Sequence, residues 1–208
     1  MRKSIFFQPE KEWDRRLNIH TVGRDASSED ENRFPYEPTP YSVLQRLTES
    51  GLIHSDSHVV DYGSGKGRTA FFLRDRIGCR VTGVEFNPLF VSAAEENLRT
   101  YAGRAEGIDF IQVNAEDYDV PDDVDVFYFF NPFSEKVLRA VHGKIFESLY
   151  RSPRDAKLLF YYPSDEYVSV LMMSEDLQFE DEIDCSDLFP GKDNRERILI
   201  FETWRELG

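Results

Sequence analysis

The sequence is poor in several things that define protein classes. Only two of its 208 residues are cysteine, Cys79 and Cys185. That is too few for a disulfide framework or a cysteine-rich metal site, and it suits free thiols in a reducing cytoplasm. The longest unbroken apolar runs, such as Val126–Phe130 and Leu158–Tyr162, are five residues long, against about 20 for a membrane-spanning helix. The N-terminal stretch MRKSIFFQPEKEW holds an apolar run of three, which is no secretory signal. Basic residues are in deficit: 25 Lys and Arg face 39 Asp and Glu, a formal charge of −14. Phosphate backbones attract the opposite sign, so nucleic acid is a poor partner for this surface. The four histidines, His20, His54, His58 and His142, lack ligand spacing, so no metal site is expected. No Ser-His-Asp or Cys-His arrangement is legible, and there is no internal repeat.

What is present is a core. Hydrophobic residues make up 40% of the chain, with 17 Phe and 10 Tyr, enough for one domain of ordinary size. Residues 1–38 differ from the rest. They are rich in charge, include the tract DASSEDEN over Asp25–Asn32, and lead into Pro35, Pro38 and Pro40. They read as an N-terminal extension, placed to act as a lid. From residue 39 to 208 the pattern is regular. Thr39 is expected to cap a helix beginning at Pro40 and ending at Gly51. Strands are expected at His58–Tyr62, Cys79–Glu85, Asp109–Val113, Val124–Phe130 and Lys157–Tyr162. Helices are expected at Arg68–Ile77, Pro88–Tyr101, Ser134–Tyr150 and Asp165–Met173. Two last strands, Phe179–Cys185 and Arg197–Trp204, have no helix between them and must pair as a hairpin. The expected fold is α/β: a doubly wound, seven-stranded, mostly parallel sheet with a C-terminal antiparallel hairpin.

The stretch VVDYGSGKGRTAFFL places a glycine loop between the first strand and its helix, at the mouth of such a sheet, where ligands bind. Three ligands compete for it. A triphosphate loop needs G-x-x-x-x-G-K-[ST], but Lys66 is followed by Gly67. A dinucleotide loop needs G-x-G-x-x-G, but the glycines stand at 63, 65 and 67. The third ligand is S-adenosylmethionine. A hydrophobic strand, an acid (Asp61) and G-x-G-x-G resemble the first motif of the class I S-adenosylmethionine-dependent methyltransferases. Glu85, ending the second strand, resembles their second motif. Segments GSGKGR, GVEFNP and FFNPF, with Tyr36-Glu37-Pro38-Thr39-Pro40, are similar to a little-characterised bacterial branch of that superfamily.

The resemblance implies a cofactor and its ligands. Gly63, Gly65 and Gly67 would admit the methionine part against the backbone. Asp61 would hold the loop or meet the ammonium group, and Glu85 would accept from both ribose hydroxyls. Asn114 and Ala115 stand where relatives carry an acid and an alanine that read the adenine, with Glu116 and Asp117 as alternatives. Asn131, Pro132 and Phe133 follow the fourth strand, where amino-group methyltransferases hold their acceptor. This chain has one proline there and not two, which leaves a plain strand-to-helix turn as the other reading. Tyr161, Tyr162 and Pro163 end the fifth strand and are candidates for the acceptor pocket's wall. The expected function is methyl transfer to a protein or small-molecule acceptor. A catalytically silent cofactor-binding protein, and less readily an NAD-dependent oxidoreductase, are the rivals.

Overall fold

The computed structural model describes residues 7–26, 30–191 and 193–203. Its strands are β1 (His58–Tyr62), β2 (Arg80–Glu85), β3 (Ile108–Gln112), β4 (Val126–Phe129), β5 (Lys157–Tyr161), β6 (Leu177–Asp184) and β7 (Arg197–Thr203). They form one seven-stranded sheet in the order β3-β2-β1-β4-β5-β7-β6. β1 pairs in parallel with β2 and β4, and β2–β3 and β4–β5 are parallel too. β7 is antiparallel to both β5 and β6. The expected hairpin is therefore present, with its second strand inserted next to β5. The expected end of β7 at Trp204 lies outside the described residues.

The helices are α1 (Phe7–Leu17), α2 (Tyr41–Glu49), α3 (Arg68–Arg76), α4 (Pro88–Thr100), α5 (Glu135–Arg151) and α6 (Asp165–Met172). Strand residues alternate between two buried layers, as the period of two requires. Val59, Tyr128, Leu159, Tyr161 and Ile200 pack with α2 and α3 on one side. Val60, Tyr62, Phe129, Phe160 and Phe201 pack with α5 and α6 on the other. There the Phe129 ring stacks between Tyr62 (5.0 Å) and Phe160 (4.5 Å). Burial on both faces explains why the middle strands read as continuous apolar runs.

Two expectations need correction. Thr39 does not cap α2: the helix begins at Tyr41, Pro40 holds the cap position without a side-chain bond, and the Thr39 hydroxyl lies 3.0 Å from Tyr128 Oη. The extension also contains α1, which the sequence reading missed. Trp13 stacks on Tyr41 (5.7 Å) and meets Phe72 edge-on (5.0 Å), while Leu17 and Ile19 join the α2–α3 core layer. Asp14, buried in this helix, accepts from Thr21 N, Thr21 Oγ1, Val22 N and Tyr41 Oη.

Candidate active site

The topology brings the C-terminal ends of β1, β2, β3 and β4 to one edge, with β1 and β4 adjacent where the strand order reverses. There Gly63 and Ser64 of the glycine loop, Val84–Phe86, Asn114–Glu116, Phe130–Phe133 and residues 33–39 line one cleft. Gly65 and Gly67, expected in the site, are set behind the rings of Tyr36 and Phe110 and do not line it.

The loop is held from below. Gly63 N and Ser64 N donate to Val84 O at 2.8 and 3.2 Å, and Gly67 N donates to Ser64 O at 2.9 Å. Gly63, Gly65 and Gly67 all have positive φ, a conformation that costs any other residue strain. Space is equally short: a Cβ on Gly63 would stand 2.5 Å from Pro132 Cβ, and one on Gly65 would stand 2.3 Å from the Tyr36 ring. The loop is thus gripped between the turn after β4 and the N-terminal segment.

Glu85 ends β2 and lines the cleft; it is buried, with its carboxylate turned to the loop: Oε2 accepts from Gly65 N and Oε1 from Asn87 N, both at 2.9 Å. Desolvation raises its pKa, and these backbone donors partly offset that. Asp61 is also buried. Desolvation first, and the nearby Glu85 charge second, push its pKa up to about 7, against a hydrogen bond from Thr69. The pair is short of positive charge.

Asn114, the adenine candidate, has its oxygen engaged: Arg33 Nη2 donates to Oδ1 at 3.0 Å, and Nδ2 donates to Asp117 Oδ2 at 3.2 Å. The Arg33 guanidinium also lies over the Phe86 ring, 4.3 Å from its centroid. Ala115 and Glu116 line the cleft beside Asn114. Arg33 and Phe86 were missed, because their pairing joins residues far apart in the chain.

Asn131, Pro132 and Phe133 come together at the cleft. Asn131 has φ +40° and a buried Oδ1 without a hydrogen-bond partner. Phe133 is buried in the α5–α6 layer, edge-on to Phe129 at 6.2 Å, so its ring serves as wall and core at once. Phe34 N donates to Pro132 O (3.3 Å) and Ser134 N to Asn32 O (2.9 Å), which ties the N-terminal segment to this turn. Tyr161 and Tyr162 do not line the cleft. The Tyr161 phenol is buried on Glu196 Oε2 (2.6 Å), and Tyr162 donates to Asp193 Oδ2 (2.6 Å).

The donor set fits S-adenosylmethionine. Three cleft side chains keep buried polar atoms without a hydrogen-bond partner, namely Ser64 Oγ, Arg68 Nη2 and Asn131 Oδ1. Such atoms are costly unless a ligand satisfies them. The glycine loop follows neither phosphate-loop spacing.

Comparison with known proteins agrees. Residues 59–154 match a family described as a methyltransferase domain. No curated protein sequence matches. Among solved structures, the chain is similar to the glycopeptide N-methyltransferase MtfA complexed with S-adenosyl-L-methionine (TM-score 0.62, 12% identity, covering 88% of this chain and 91% of that one). It is similar to an RNA methyltransferase from Salinibacter ruber in complex with S-adenosyl-L-homocysteine (TM-score 0.56, 20% identity, covering 80% and 93%). A TehB-like S-adenosylmethionine-dependent methyltransferase from Corynebacterium glutamicum shares the fold too (TM-score 0.56, 14% identity, covering 96% and 98%). These likenesses establish the fold, and residues 59–154, which span the glycine loop and Glu85, match a methyltransferase domain: together they support a class I methyltransferase that uses S-adenosylmethionine.

Proposed function

We propose that the protein methylates an amine or hydroxyl of a small-molecule or protein acceptor presented at Asn131-Pro132-Phe133. The observation that carries this reading is the buried, unpartnered Asn131 Oδ1 in the cleft, one residue before the proline that packs on Gly63. When bound, S-adenosylmethionine supplies a methyl group activated by a sulfonium. Gly63, Gly65 and Gly67 admit its amino-acid part, Asp61 faces the ammonium, and Glu85 meets the ribose. Asn114 and Ala115 border the adenine, with Glu116 on the same wall. Asn131 accepts a hydrogen bond from the acceptor and fixes its approach, and orientation of this kind is worth up to about 7–11 kcal/mol in bimolecular reactions. The charge of −14 disfavours RNA as acceptor, and two buried free thiols suit a cytoplasmic setting.

We assign a lid to the N-terminal extension and narrow it to Asn32–Tyr36. Asp14, Leu17, Ile19 and Thr21 are buried, whereas residues 32–36 bridge the adenine wall and the Asn131 turn. The test of function is transfer of a labelled methyl group from S-adenosylmethionine to lysate fractions separated into macromolecules and metabolites. A labelled amine or hydroxyl product supports the reading. Binding of the cofactor with no labelled product in any fraction favours a silent cofactor-binding protein.

A further inference from the structure

Arg68 is the first residue of α3, directly after the loop glycine Gly67. It is 3% exposed and lines the cleft. A guanidinium carries five N–H donors in a rigid fork and no acceptor, and most of this fork is engaged. Nε donates to Thr21 Oγ1 at 2.7 Å, and Nη1 donates to the Glu10 carboxylate and to Thr39 O (3.2 Å). The plane rests on the Tyr41 ring, 4.3 Å from its centroid. Nη2 alone is buried without a hydrogen bond. Asp14 Oδ1 stands 3.7 Å away, an ion pair beyond hydrogen-bond reach. Asp14 is not free to turn toward it, since its two oxygens already accept four hydrogen bonds from Thr21, Val22 and Tyr41.

A charged donor left unsatisfied in the interior is expensive. An anion with planar oxygens suits a guanidinium edge better than a point charge does. The start of α3 adds positive potential at the same place. The cofactor offers one anionic group, the carboxylate of its amino-acid end, and the glycine loop next to Arg68 is where that end is assigned above. Asp61, of opposite sign, lines the same cleft, so the two side chains match the two poles of a zwitterion.

We propose that Arg68 receives the α-carboxylate of the cofactor, and that Glu10, Asp14 and Thr21 of the N-terminal region are the frame that aims it. This rests on the assignment of the amino-acid end to the glycine loop. It gives residues 10–21 a role in cofactor binding that no motif marks.

Calorimetry with three ligands tests it: S-adenosylhomocysteine, its decarboxylated analogue, which keeps the ammonium, and 5′-methylthioadenosine, which lacks both groups. The unmodified protein should bind S-adenosylhomocysteine about ten- to a hundredfold tighter than the decarboxylated analogue, the range of a hydrogen bond to a charged group. The double variant Arg68→Gln/Glu10→Gln removes a buried cation together with an anion, which spares the fold better than removing either alone. It should lose that preference while holding the two carboxylate-free ligands as before. Equal loss for all three ligands in a folded variant would make Arg68 purely structural and overturn the proposal. Equal affinity of the unmodified protein for the first two ligands would overturn it without any variant. Should the double variant fail to fold, Arg68→Lys, which keeps the charge but not the fork, should narrow the preference, and a full preference in that variant would overturn the proposal. Failure of the unmodified protein to bind any of the three would instead count against the site assignment itself.

Discussion

The ring of Tyr36 lies where a side chain on Gly65 would be. An ideal Cβ there stands 2.3 Å from Tyr36 Cε2, at a backbone φ of +54°. The phenol is anchored by donation to Thr21 O at 2.6 Å, and the ring leans on Phe90 at 5.0 Å. The N-terminal segment and the glycine loop are therefore one packed unit.

Gly65→Ala should lower stability by about 1–2 kcal/mol from backbone strain alone, with a further loss from displacing Tyr36. Chemical denaturation measures the first. Calorimetry should show S-adenosylhomocysteine binding weakened beyond detection, because the loop can no longer close against the ring. Wild-type affinity would show that Tyr36 moves aside at no cost.

Glu85→Ala should weaken S-adenosylhomocysteine by about 2–3 kcal/mol, the scale of hydrogen bonds to a charged group. The structure adds a second consequence, since Glu85 also accepts from Gly65 N and Asn87 N. The variant should melt at lower temperature even without ligand. Glu85→Gln keeps an acceptor and should fall between the two. An unaltered dissociation constant in folded Glu85→Ala would remove this residue from the ribose role.

Cofactor affinity should depend on pH through Asp61. Its folded-state pKa is raised from 3.8 to about 7, so near pH 6 the carboxyl is largely protonated. An ammonium ligand favours the ionised form, and binding must then release a proton. Between pH 5.5 and 7.5 the α-amino group of the ligand stays protonated, its pKa being about 7.7–8.0 or above. Affinity should therefore rise with pH across this window and level off above pH 7. The same shift makes Asp61 destabilise the folded protein as pH rises from about 4 to 7, where the unfolded carboxyl is already ionised. Asp61→Asn should flatten the binding profile. A flat profile in the unmodified protein would separate Asp61 from the ammonium.

Arg33 holds the oxygen of Asn114, the residue assigned to the adenine, and covers Phe86 of the same cleft. Binding must then break the Arg33 contact, and the free protein is biased toward the closed segment. Arg33→Ala should tighten S-adenosylhomocysteine by about two- to tenfold, the span of a net hydrogen bond. Hydrogen exchange over residues 30–36 should quicken in the free variant. Weaker binding would show instead that Arg33 clamps the bound adenine.

Much of this was legible in the sequence, and the reasons differ by element. β1, β4 and β5 announce themselves because burial on both sheet faces forces apolar runs between glycine and proline breaks. The loop and Glu85 are legible because close backbone approach and a strand-end acid each need particular residues at a fixed spacing. α1 was not, since the helix is bound partly through Asp14 and Glu10, charges that read as surface until Arg68 is seen beside them. Arg33 with Asn114, and Tyr36 on Gly65, are contacts of tertiary structure with no local signature. The Thr39 cap failed because Tyr128 offered its hydroxyl a buried partner.

Asn131 should matter for turnover and for little else. Its φ of +40° is a conformation that asparagine and glycine adopt more readily than other residues, so Asn131→Gly, unlike Asn131→Ala, removes the side chain without straining the turn. Its buried Oδ1 has no partner, so deleting it gives up no intramolecular hydrogen bond, and stability should hold or improve slightly. Pro132 would still pack on Gly63, leaving the cofactor's cradle intact, and S-adenosylhomocysteine should bind as before. An orienting contact made mainly in the transition state lowers kcat without loosening the cofactor. The loss should be about ten- to a hundredfold, that of one hydrogen bond to a group developing charge. Affinity and methyl transfer are to be measured on one sample, with an acceptor found by the labelling experiment. Full activity in Asn131→Gly would reduce the segment to a strand-to-helix turn. Loss of cofactor binding in that variant would show that Asn131 supports the glycine loop through Pro132 and would move the acceptor site elsewhere on the cleft.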